Sequence, residues 1–168
     1  MLVRLLIAAL TLAPLGACVR HTTPTHLVGA TAADASEQLG VPLSGWQPAT
    51  VPGYEVSCAL GATVPLYHEH ASVCVVRRAA TVAALDFRVD GCVGDRYDAL
   101  RTAVIADFGL TDVTDRDIYV VRRSGVIHLR PGDDAADLVV TDSRYGDLYV
   151  KEQLRQGFVD LSNGLRPH

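Results

Sequence analysis

Two histidines flank one glutamate at His68-Glu69-His70, and Cys74 follows four residues after the second. Side chains alternate along an extended segment, so both imidazoles would project from one face. Such a pair can hold Zn²⁺ or Cu²⁺ once a third ligand joins it, and His128 and Cys74 are the candidates. The spacing is not His-Glu-x-x-His, and no Cys-x-x-Cys accompanies it. A solvated polar stretch between strands is the plainer reading. His68 and His70 therefore stand as weak metal candidates, and no cofactor is expected.

Nucleophilic chemistry finds less. The chain has no Gly-x-Ser-x-Gly elbow and no Ser-x-x-Lys, and Lys151 is its only lysine. Ser124, His128 and Asp142 have the residue types of a triad but no spacing that joins them. Asp112, Asp115 and Asp117 lack the regular ligand spacing and glycine of a calcium loop. Asp133, Asp134 and Asp137 read as turn chemistry, and no glycine-rich loop is present to cradle a phosphate. Arg77-Arg78 and Arg122-Arg123 flank proposed turns, where solvated charge is the default and an acidic partner the minority reading. No catalytic residue is assigned. An enzyme would need a concave pocket that gathers His128, or His68 and His70, beside a carboxylate.

The address of these residues is set at the other end of the chain. Arg4 and the amino terminus supply positive charge, Leu5 to Leu12 supply a short apolar core, and Pro14 ends it. Eight apolar residues cannot cross a hydrocarbon layer of about 30 Å, which needs about 20. Leu15-Gly16-Ala17-Cys18 follows, and it resembles the lipobox of bacterial lipoproteins. The resemblance covers 18 residues. It implies cleavage before Cys18, transfer of diacylglycerol to the Cys18 thiol, and in many bacteria a further fatty acyl group such as palmitate on the new amino group. It places residues 1–17 as a signal peptide. The rest becomes a body anchored by lipid on the extracytoplasmic side of a membrane in the cell envelope. Two or three acyl chains suffice, since each buried CH₂ adds ~0.8 kcal/mol.

The remaining 151 residues are enough for one domain with a real core. Of 15 basic residues, Arg4 lies in the leader, which leaves 14 against 19 acids and a mature charge of −5. That charge keeps the chain soluble. No basic stripe with interleaved aromatics occurs, which excludes a nucleic-acid partner. With Cys18 lipidated, Cys58, Cys74 and Cys92 remain, and one disulfide plus one odd thiol is the simplest arithmetic. All three pairings are open. Cys58–Cys92 is favoured, with Cys74 a buried inert thiol in Ser72-Val73-Cys74-Val75-Val76.

Residues 18–53 read as the lipidated cysteine and a flexible tether with an r.m.s. span of about 30 Å. Ala32 to Leu39 could form a short helix within it, and Trp46 could pin it to the domain. A single domain then spans residues 54–168. Val82 to Asp90 alternates, with Ala83, Leu85, Phe87 and Val89 on one face and Asp86, Arg88 and Asp90 on the other. A helix follows from Asp95, with Tyr97, Leu100, Val104 and Phe108 as its stripe and Gly109 as its stop. Ser124-Gly125 joins two β-rich runs as a hairpin. Asp147 to Lys151 reads as a strand, and Leu154, Phe158 and Leu161 as a short helix. The fold class is α+β: a small antiparallel sheet with one main helix packed on one face, in the order ββ(β)-α-βββ. These expectations together describe an envelope lipoprotein of unknown activity, a non-enzymatic module that binds or positions an envelope protein or cell-wall component. The alternatives are an envelope hydrolase or a metal-binding protein using His68 and His70.

Overall fold

The computed structural model describes residues 23–59 and 62–152. Leu15 to Cys18, and Leu154, Phe158 and Leu161, lie outside these residues.

A 3-10 turn at Pro24–His26 leads into α1, Ala32–Leu39. Thr31 opens α1 because its hydroxyl oxygen accepts from the Asp34 N–H at 3.1 Å. Gly40, at φ 68°, closes it in the left-handed conformation that glycine adopts without strain. Five strands follow: β1 Gln47–Pro48, β2 Glu55–Cys58, β3 Val64–Leu66, β4 Glu69–Arg78 and β5 Thr81–Asp90. α2 spans Asp95–Asp107, then come β6 Ile118–Arg122, β7 Gly125–Pro131 and β8 Ala135–Thr141. A helix over residues 143–152, α3, runs to the end of the described residues.

All strand pairs are antiparallel, in the order β1-β2-β4-β5-β8-β7-β6, and β3 pairs with the start of β4. The chain leaves β5, crosses through α2 to the far edge at β6, and returns through two hairpins to lay β8 against β5. One face of the sheet carries the main core. Val73, Val75, Leu85, Phe87, Val89, Leu129 and Leu138 pack there with Tyr97, Leu100 and Val104 of α2 and Ala35 and Leu39 of α1. Burying each large apolar side chain contributes ~1.5–3 kcal/mol. The other face has a smaller cluster, Tyr54, Val76, Ala83 and Ala84, on which Tyr145 and Leu148 of α3 rest. Elsewhere on that face, among the described residues, Asp86, Arg88 and Arg130 are exposed.

The α+β class with an antiparallel sheet holds, and α1 forms over the residues expected. The order differs. The sheet has eight strands, α1 precedes them and α3 follows. The expected tether is folded from residue 24 onward, because Leu27, Ala35, Leu39 and Val41 are buried in the main core. Trp46 does pin this segment, with the Arg77 guanidinium 4.0 Å from its ring centroid. The expected strand at 147–151 is helix instead. Asp142 caps α3 by accepting from the Tyr145 N–H at 2.7 Å, which starts a helix through residues of high strand propensity.

Candidate functional site

The open face of the sheet holds the site. Alternation along β5 puts Asp86 and Arg88 there, and register with β8 and β7 sets Arg88 opposite Asp137 and Asp137 opposite Arg130. α3 reaches this face closely because Gly146 has no Cβ. A methyl there would stand 2.9 Å from Thr141 Oγ1 and 3.0 Å from Val126 Cγ2. Tyr149, one turn on, is thereby carried to the rim.

Ser72, Asp86, Arg88, Arg130, Asp137 and Tyr149 line a hollow of about 420 Å³. Asp137 sits between two guanidiniums, 3.0 Å from Arg130 and 3.6 Å from Arg88. Arg88 also reaches Asp90 at 3.0 Å and Asp134 at 3.4 Å. Desolvation against the sheet, then the neighbouring Asp137 charge, holds the Asp86 carboxyl above its ordinary range, with Arg130 and Arg88 opposing. Such a hollow offers charge of both signs and planar guanidinium donors, the equipment for recognising a polar ligand.

Beside the hollow, Tyr149 Oη lies 2.8 Å from His128 Nδ1, and His128 Nε2 lies 3.2 Å from Asp117. His128 is 7% exposed. Burial, its largest influence, pushes the Tyr149 phenol up to about 12, so the phenol keeps its proton. Both ring nitrogens are engaged. The chain Tyr149–His128–Asp117 clamps α3 to β7, and a protonated phenol is a poor nucleophile.

The other expected residues fall elsewhere. The disulfide joins Cys58 to Cys74, which are cross-strand partners in β2 and β4. The favoured Cys58–Cys92 pairing is thus corrected, and Cys92 is the buried free thiol, raised by that burial and then by Glu69. His68 lies in the two-residue turn between β3 and β4, whereas His70 is in β4 opposite Pro65, so the two do not share one extended face. Cys74 is disulfide-bonded and His128 is held by Tyr149 and Asp117, which removes both proposed third ligands. Among the described residues no group of three His, Cys, Asp or Glu could hold a metal ion. Ser124 is in the β6–β7 turn and Asp142 caps α3, so no triad forms with His128. Arg77 pairs with Glu55 at 2.8 Å, and Arg122 donates to the Phe108 carbonyl at 3.0 Å.

Sequence reasoning missed Arg130 and Tyr149, placed Asp86 and Arg88 on the polar face of β5 without a role, and read Asp137 as turn chemistry, whereas it lies within β8. The alternation of β5 was the available signal, but which strands flank β5 was not. No protein-family model, no curated protein and no solved structure matches this chain.

Proposed function

We propose that the protein is a membrane-anchored bacterial envelope lipoprotein whose domain is a non-enzymatic binding module. The charged hollow on the open sheet face is the observation that carries this reading. It gathers Arg88, Arg130, Asp86 and Asp137 without an activated nucleophile, which suits recognition of a charged segment of an envelope protein or a cell-wall component. Support for the address comes from the lipobox-like Leu15-Gly16-Ala17-Cys18 and from the Cys58–Cys74 disulfide, a bond that persists in oxidising compartments. Lipid at Cys18 supplies the membrane contact.

An envelope hydrolase is the second reading, and one specific observation favours it. His128 stands beside the Asp117 carboxylate, and its other partner, Tyr149, lies on the wall of the hollow. Engagement of both ring nitrogens and the raised phenol turn that cluster toward clamping rather than catalysis.

In-cell photocrosslinking separates these outcomes. A photoreactive residue at Val139, on the hollow, should give one discrete covalent product. The same residue at exposed Thr102 of α2 should give none, and Arg88→Ala with Arg130→Ala should abolish the Val139 product. Equal products from both positions, or a product indifferent to the arginines, would remove the hollow as the binding site.

A further inference from the structure

Among the described residues three strands have an edge with no further strand beside it, and they are not alike. β1 is two residues long and contains Pro48, and β3 is three residues long and contains Pro65. Short, proline-bearing edges are how sheets avoid pairing with other chains. β6 has five residues, Ile118-Tyr119-Val120-Val121-Arg122, with no proline and no lysine, and among the described residues it pairs only with β7. Tyr119 and Val121 are 43% and 58% exposed, two of the three large hydrophobic side chains left outside among the described residues.

The ladder sets which groups are free. Arg122 and Gly125 close a two-residue hairpin, so they exchange hydrogen bonds with each other. By alternation Val120 and Ile118 also bond to β7, and Tyr119 and Val121 turn their N–H and C=O outward. A two-fold antiparallel ladder between two copies must keep like faces together, so one residue must pair with its own counterpart. Centred on Val120, it sets Tyr119 opposite the other copy's Val121, twice over. Both exposed apolar side chains are then covered on one face, and their outward N–H and C=O groups are satisfied. The same register sets Asp117 opposite the other copy's Arg123, so charge is complementary at both ends.

We infer that β6 is a self-association edge, on which a second copy of this chain adds an antiparallel strand centred on Val120. Five residues bury little area, so the dimer is weak and reversible. The inference stands apart from the charged hollow and its ligand.

The test uses the full chain bearing Cys18→Ser, which removes a competing thiol. Sedimentation should show a concentration-dependent monomer–dimer equilibrium, and Val121→Lys should weaken it roughly tenfold or more. Under mild oxidation Val120→Cys should give a covalent dimer, since that residue faces its own counterpart, while Thr102→Cys should not. Circular dichroism checks that each variant folds. A wild-type chain that stays monomeric and gives no covalent dimer through Cys at position 120 overturns the proposal. So does a dimer indifferent to Val121→Lys, including one made through residues 153–168.

Discussion

At Gly125 φ is 144°, and a Cβ built there would overlap the carbonyl oxygen of Thr141. β7 starts at this residue, and Thr141 is held against it by the Val126 N–H, which donates to Thr141 Oγ1 at 2.9 Å. Backbone cannot give way as a flexible side chain can. Gly125→Ala should therefore destabilise the fold by more than about 3 kcal/mol, as a buried overlap in a well-packed sheet does. Gly109, at φ 54°, meets nothing within 4 Å, so Gly109→Ala should cost only ~1–2 kcal/mol. Denaturant titration of both variants checks the ordering, and equal losses would contradict it. A hairpin was legible from sequence, but its turn is Arg123-Ser124 rather than Ser124-Gly125, and the close approach of Thr141 to Gly125 was not legible. That contact joins residues on two different strands, and residue type alone does not report register. Cys74 shows the same limit. Its β-branched neighbours correctly announced a strand, yet its partner depended on β2 lying beside β4.

The disulfide ties two elements rather than two loops, because Cys58 and Cys74 face each other across β2 and β4. β2 lies near one end of the sheet, with only the two-residue β1 beyond it, so the bond fastens the less supported side of the sheet. With a sequence separation of 16 between the cysteines, closing that loop should contribute about 3 kcal/mol through the unfolded chain. Reduction should lower stability by roughly that amount. Unfolded but unreduced mature protein should show one reactive thiol, at Cys92, and three reactive thiols would remove the bond. Elements with a clear period were legible. α2 and β5 lie where their stripes put them, because 3.6- and 2-residue periods are local properties, except at Ala83, which a bulge opposite Val76 and Arg77 turns to the other face while Val82 joins the main core. α3 was not legible, because Leu148-Tyr149-Val150 has strand propensity while the Asp142 cap and the fit of Gly146 against Val126 decide for helix. Its loss from the sequence reading also hid Tyr149, and with it the clamp on His128.

Across the whole molecule, the α+β class followed from alternating strands around one strong helix, while the strand order did not. Chain order does not say that β8 returns to lie between β5 and β7, and that return is what builds the charged hollow. The segment from residue 24 to Gly53 was read as tether because it lacks an apolar period. Leu27, Ala35, Leu39 and Val41 tie it down against strands far along the chain, with Trp46 and the β1–β2 pairing adding to them. The proposed lipid anchor at Cys18 would stand five residues before residue 23, the first described residue. The account as a whole rests on that anchor, since an extracytoplasmic binding module needs both the leader and the acylated cysteine. Intact and peptide mass spectrometry of membrane-extracted protein tests it most directly. The mature chain should begin at diacylglyceryl-modified Cys18, and Cys18→Ser should leave the chain unacylated and released from the membrane. A native chain that keeps Met1, or begins elsewhere without lipid, would contradict the account.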